Sequence, residues 1–310
     1  MQRVILSMIL LTAAVWAPAQ QNRQADLRVP ATAQPAAQIT EPALPVTYSD
    51  LYCAGFVAPQ ALPHDHFIAA GLGTPVQSQY SQGSLIYLRG EGYTPGSRFS
   101  IVRELQDPNR YTPFPTGKQL LEKAGQLYAE LGYATIVEKR GTDIAVAQIE
   151  FSCESIVPGD LLVPFTPKPA LSYRRNSTMD RFPAGHGKLS ARIMASRNFD
   201  QFPGSGSKVY INAGASSGAK AGDYFRIVRN YEDASLDPTD LQVFEQPGGE
   251  DTQQKPPKLA HNQLRDLPPR AIGEAVVLNT QANTATAMIT FALEEIQIGD
   301  TVELEEDQAR

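Results

Sequence analysis

The 310 residues include only two cysteines, one tryptophan and four histidines, and they carry no surplus of positive charge. Two cysteines are too few for a cysteine-dense disulfide scaffold or a four-thiolate zinc site. Lys and Arg number 27 against 33 Asp and Glu, for a net charge of −6. There is no basic stripe and no basic–aromatic cluster, so nucleic acid is not expected as a partner. Walker loops, dinucleotide fingerprints and zinc-ligand spacings are also missing, and neither a cofactor nor a metal is expected. After the first residues, no apolar run is long enough to span a bilayer as a helix.

Those first residues read MQRVILSMILLTAAVWAPAQQ. A single arginine, a short apolar stretch and an A-x-A pattern at Ala17-Pro18-Ala19 describe a secretory signal peptide over residues 1–19, cleaved before Gln20. Export to an oxidising compartment follows. Residues 20–48 are rich in Ala, Pro and Gln and read as a disordered tether. In an oxidising compartment Cys53 and Cys153 favour a disulfide over two separately buried thiols. A loop of that length would constrain the unfolded chain by about 4 to 5 kcal/mol in the entropy model.

The chain repeats itself, and a repeat governs the fold. GSLIYLRGEGYTPGSRFSIVRE (83–104) is answered by GSKVYINAGASSGAKAGDYFRIVRN (206–230). Further on, GYATIVEKRGTDIAVAQIEFSCESIVPGD (132–160) is answered by GEAVVLNTQANTATAMITFALEEIQIGD (273–300). LIYLR and KVYIN alternate as half-buried strands do, and each later block reads as a hairpin followed by a Gly-Asp turn before a last strand. With leading strands taken from YCAGFVA and KLSARIMAS, each copy has five or six short strands. Such a set removes its exposed edges by closing into a small barrel. The expectation is therefore a mainly β chain of two tandem barrels, module one over 49–165 and module two over 187–305. Between them, 166–186 reads as a linker. An amphipathic helix is expected at 118–131, where Leu120, Leu121, Ala124, Leu127, Tyr128 and Leu131 share a helical face. The acidic, Pro-rich 231–270 reads as a disordered loop, and 306–310 as a polar tail.

GASSG at 214–218 fits the G-x-S-x-G of a hydrolase nucleophile elbow, which needs a strand, a strained turn and then a helix. Here a second strand pattern follows, and the first copy makes the same turn without a serine. Ser216 is therefore read as non-catalytic and the chain as a non-enzyme. Gly214 and Gly218 are expected to supply positive φ. Gly96, Gly222 and Asp223 read as turn residues, as do Gly159 with Asp160 and Gly299 with Asp300. Glu154 and Glu294 are expected to face solvent. Arg103 and Arg229 end equivalent strands and are candidates for contact with an acidic partner. Tyr87 and Tyr210, with Tyr93 and Tyr224, could stack on a sugar ring. His64-Asp65-His66 lacks a third ligand and reads as a surface loop, while His186 and His261 lie in linker-like sequence. Asn176-Ser177-Thr178 fits a glycosylation sequon.

The order of these motifs, carried by 206–228 and 272–302 and more loosely by 83–102 and 131–162, resembles the C-terminal domain of flagellar assembly protein T. It also resembles relatives found behind a LysM domain in envelope proteins. The resemblance implies an SH3-like barrel, a periplasmic location and a scaffolding role beside a rotary motor, pilus or secretin, with no catalytic residues. The expected partner is thus an envelope protein assembly, with peptidoglycan or a small ligand as the alternative. Cys153 aligns with Leu293. A bridge would then tie the leading strand of module one to its penultimate strand, with packing at the equivalent site in module two.

Overall fold

The computed structural model describes residues 38–73, 78–108, 116–183, 189–230 and 267–305. The expected signal peptide, the tether up to residue 37, loop residues 231–266, His186, His261 and the 306–310 tail lie outside the described residues.

The described chain opens with β1 (Gln38–Pro42), α1 (Tyr48–Tyr52) and the short β2 (Phe56–Ala58). Thr47 caps α1, accepting from the Asp50 amide while the Asp50 carboxylate accepts from the Thr47 amide. This capping box satisfies donors that a short helix would otherwise leave open. Next come β3 (Phe67–Gly71), β4 (Leu85–Arg89), β5 (Arg98–Leu105), α2 (Gly117–Ala124), β6 (Gln126–Arg140), β7 (Ile144–Ser152) and β8 (Leu161–Pro164). A strand β9 (Asn176–Asp180) separates these from β10 (Ser190–Ser196), β11 (Lys208–Ile211), β12 (Tyr224–Arg229), β13 (Arg270–Thr280), β14 (Ala285–Ala292) and β15 (Thr301–Leu304).

Two closed six-stranded barrels result, with the same strand order: β3-β4-β7-β6-β5-β8 and β10-β11-β14-β13-β12-β15. The irregularities repeat too. The first strand of each barrel is bulged, at 68–70 and at 193–195. The second hairpin slips at Ile101/Val102 in one barrel and at Ile227/Val228 in the other. A bulge bends a strand sharply, and these repeated bends let so short a sheet close on itself. Each interior is filled by the alternate apolar residues, among them Ile86, Leu88, Ile136 and Ile149 in the first barrel and Val209, Ile211, Val277 and Ile289 in the second.

Four expectations change. The leading strand of the first barrel is β3, not YCAGFVA. Its bulge interrupts the apolar alternation and leaves Ile68 as its one fully buried side chain, so the pattern is weak in sequence. YCAGFVA instead supplies β2, which pairs with the first residues of β6 outside the ring. The helix expected over 118–131 ends at Ala124. Gly125 (φ +116) turns the chain against β2, where a Cβ would lie 2.0 Å from the Ala58 carbonyl oxygen, and 126–131 joins β6. Leu127 and Leu131 fit a strand period as well as a helical one, and burial on both faces decides for the strand. Finally, tether and linker are not free. Residues 38–42 pair with 176–180 as a two-stranded ribbon, and Ala43 and Met179 pack on Val228, Ala271 and Phe291 of the second barrel. The loop expected to reach residue 270 also ends earlier, since Arg270 opens β13.

Candidate functional site

The described residues form a single compact unit, and the seam between the two barrels is where unlike elements meet. α1 belongs to the first module by sequence, yet Leu51 and Ala54 are buried against Tyr224, Val276, Leu278 and Met288 of the second barrel. α2 does the same: Leu120, Leu121 and Ala124 pack where Val57 and Leu127 meet Met194, Ala195 and Tyr210. The Gly55 peptide bridges both sides. Its N–H donates to Glu130 Oε2 (3.1 Å), and its carbonyl accepts from Asn279 Nδ2 (3.0 Å) and Thr286 Oγ1 (2.9 Å). Ion pairs cross the seam at Asp50–Lys208 and Glu154–Arg197, each at 2.6 Å. Burial would raise the Asp50 carboxyl, but hydrogen bonds from Lys208 and Thr47 hold it below its ordinary value.

The segment expected to be a linker works as a strap. Lys168 Nζ sits 2.6 Å from both Glu130 carboxylate oxygens and 2.8 Å from the Leu51 carbonyl. Six residues on, Arg174 lies 3.8 Å from Glu274 and 2.7 Å from Glu305, with its guanidinium 3.9 Å from the centroid of the Tyr224 ring. Glu130 is 7% exposed and Glu274 is 0% exposed, so each barrel buries one carboxylate that a strap cation faces. A buried charge without its partner is severely destabilising, and these pairs tie strap placement to barrel stability. Sequence reasoning missed all four residues. The available signal was a single acid inside an apolar run, LYAELGYA and AIGEAVVL.

The predicted site residues divide cleanly. Cys53 and Cys153 are bridged, with Cα atoms 6.1 Å apart. Cys53, however, is the C-cap of α1, so the bridge joins α1 to the end of β7 and not one barrel strand to another. At the matching position of the second barrel, Leu293 packs beside Phe291. Arg103 and Arg229 are not free for a partner. Arg103 binds Asp160 through Nε and Nη2 (2.7 and 2.8 Å) and the Ser155 carbonyl at 2.9 Å. Arg229 binds Asp300 (2.8 and 2.7 Å) and the Glu295 carbonyl at 2.7 Å. The aspartates also accept from the Val157 and Gln297 amides, which makes one repeated clamp that locks the last turn of each barrel. Gly96, Gly159, Gly222 and Gly299 take positive φ in their turns, and the Asp223 carboxylate accepts from the Lys220 amide. Glu154 faces solvent as expected while pairing with Arg197, whereas Glu294 is half-buried and pairs with Arg181 and Arg270.

In GASSG the chain makes a 3-10 turn over Ala215–Ser217, and β12 follows the connection. Gly218 has positive φ as expected. Gly214 does not; it is extended at φ −142, and it is glycine because a Cβ would lie 2.4 Å from the Gln281 carbonyl oxygen. Ser217 bonds the Gly214 backbone through both its hydroxyl roles, while the Ser216 side chain is exposed. The described histidines lie elsewhere: His64 is 3.7 Å from Glu104, and His66 Nδ1 is 3.2 Å from the Tyr93 hydroxyl. Among the described residues no cluster of three metal-ligating side chains occurs, and no helix is long and apolar enough to cross a membrane.

Of the four tyrosines considered for stacking, Tyr93, Tyr210 and Tyr224 are buried, and only Tyr87 reaches the surface. Burial pushes the Tyr93 and Tyr210 hydroxyls well above their ordinary pKa. A different aromatic face is present on the outside of the first barrel. Tyr48 and Tyr52 of α1 meet Tyr133 of β6, Phe151 of β7 and Phe165 after β8, with neighbouring ring centroids 4.5–5.9 Å apart. Arg98 lies 5.8 Å from the Tyr133 and Phe165 rings. Tyr48 is half-exposed and shares a 2.8 Å hydrogen bond with the Tyr133 hydroxyl. Partial burial and that bond push its pKa up to about 12. In one chain length these rings lie up to 117 residues apart, which explains why sequence order did not group them. Comparison with protein-family models and with curated proteins finds no match to this chain.

Proposed function

We propose that the protein is an exported, non-enzymatic scaffold of the cell envelope, whose two fused barrels hold a docking face for a larger envelope assembly. The observation that carries this reading is the seam. α1, α2 and the strap join the barrels into one compact unit, and many of the charged groups that could act on a substrate are occupied in holding it together. A body of this kind can present surfaces at a fixed spacing, which is what a scaffold contributes. The signal-peptide pattern and the motif resemblance given above supply its setting beside a flagellar basal body, pilus or secretin.

The docking face is the aromatic surface around Tyr48, Tyr133 and Arg98, since Tyr and Arg dominate the energetic centres of protein interfaces. A photo-crosslinking amino acid placed at Tyr48 or at the exposed Val137 in the native host tests this directly. The expected product joins the protein to a component of one envelope machine. Crosslinks only to itself or to cell wall would overturn the reading. The same half-exposed rings favour one second reading, peptidoglycan binding through ring stacking. It predicts co-sedimentation with purified sacculi that Tyr48→Ala abolishes.

A further inference from the structure

The Cys53–Cys153 disulfide occupies an unusual place. Its covalent loop lies within the first module, but the element holding Cys53 is buried against the second barrel through Leu51 and Ala54. The bridge therefore fastens to the first barrel a segment that is also part of the second barrel's packing. Other ties across this line are non-covalent: the Gly55 peptide bonds, Asp50–Lys208 and Glu154–Arg197.

The bridge also lines a polar groove of about 460 Å³. Cys53 is 8% exposed, while Cys153 is more accessible. Arg197, Lys208, Ser207 and Glu154 line the same groove, with Arg197 paired to Glu154 and Lys208 to Asp50. A cation beside sulfur favours thiolate over thiol, on an incoming nucleophile and on a departing sulfur alike, and here each cation also carries a carboxylate partner. The Ser49 hydroxyl lies 3.7 Å from Cys53 Sγ, placed to donate to a thiolate there.

We infer that this groove is a thiol–disulfide exchange site, and that a dithiol reductant entering it releases the clasp between the barrels. The reductant's thiolate attacks Cys153 Sγ, the S–S bond breaks, and its electron pair leaves on Cys53 Sγ beside Ser49. The second thiolate of the reductant then attacks its own sulfur in the mixed disulfide and expels the Cys153 thiolate. The protein disulfide is reduced to two thiols, the dithiol is oxidised to its disulfide, and the two protons pass from the reductant's thiols to the cysteines. With the bridge open, α1 and β2 remain placed by non-covalent contacts: the β2–β6 pairing, the Lys168 bond to the Leu51 carbonyl, the Gly55 peptide bonds and Asp50–Lys208. This inference concerns the chain's own sulfur chemistry and is independent of the scaffold reading.

The test exposes the full oxidised chain to dithiothreitol without denaturant, traps new thiols by alkylation, and follows amide hydrogen exchange by mass spectrometry. Two alkylated cysteines are expected on the folded protein. Exchange should rise on the order of tenfold in 48–58 and 206–211, while the barrel interiors stay protected as sub-global opening requires. The Cys53→Ser/Cys153→Ser double variant should show the same exchange pattern with no reductant present. Thiols that form only with denaturant added would overturn the exchange site. Unchanged exchange after reduction, or a double variant protected like the oxidised protein, would overturn the clasp.

Discussion

Arg229 and Asp300 are 7% and 4% exposed at their side chains, and each satisfies the other through two hydrogen bonds. Removing one partner leaves the other as a buried charge. Asp300→Ala should therefore cost about 3–5 kcal/mol in a urea melt. Arg103 is 33% exposed, so water can reach it when its partner is lost. Asp160→Ala should cost less, about 1.5–3 kcal/mol, the range for hydrogen bonds to charged groups. Asp50 predicts a pH effect. Its carboxyl is held below its ordinary value by Lys208 and Thr47, so its contribution is complete above the unfolded value near about 4 and is lost as pH falls through the depressed folded value. Wild type should lose stability relative to Asp50→Asn below about pH 4 and keep a constant difference between about pH 5 and 7. Ser216→Ala, on an exposed turn, should stay within about 0.5 kcal/mol of wild type. At this scale the sequence identified the clamp aspartates as turn residues, because a Gly-Asp pair at equal repeat positions is a local signal. It did not reveal the arginines' partners or the strap's buried acids. Those depend on which faces become buried, and burial is set by the other barrel.

The succession of strands after the leading one, and the hairpin of each module, were legible in the repeat, since two copies with the same alternation and turns constrain each other. Elements that break the repeat's alternation or lie outside it were not. The alternation of β3 is interrupted by its bulge, YCAGFVA forms β2 outside the ring, the end of α2 is set by a contact with β2, and the β1–β9 ribbon pairs the expected tether with the expected linker. α2 illustrates the point. Its apolar residues satisfy a helical period through Ala124, and the positive φ of Gly125 and its close approach to the Ala58 carbonyl stop the helix there. Gly125→Ala should thus destabilise by more than about 1 kcal/mol, a positive φ and a backbone clash acting together. The strap makes a sharper prediction. Lys168→Met leaves Glu130 buried among apolar residues with its Lys168 contact removed, and should cost about 3–5 kcal/mol. The double variant Lys168→Met/Glu130→Leu should recover most of that loss, because the desolvated charge is gone as well.

At the scale of the whole molecule, the two copies form one body and not two beads on a string. α1 and α2 are first-module elements that finish the second barrel's surface, and the strap places a cation against a buried acid of each barrel. A partner that docks on the aromatic face would therefore act on both barrels at once. Differential scanning calorimetry of the oxidised full-length protein tests this most directly. One transition is expected, with the calorimetric enthalpy equal to the van't Hoff enthalpy. Two separable transitions, each carrying the enthalpy of a single barrel, would contradict it.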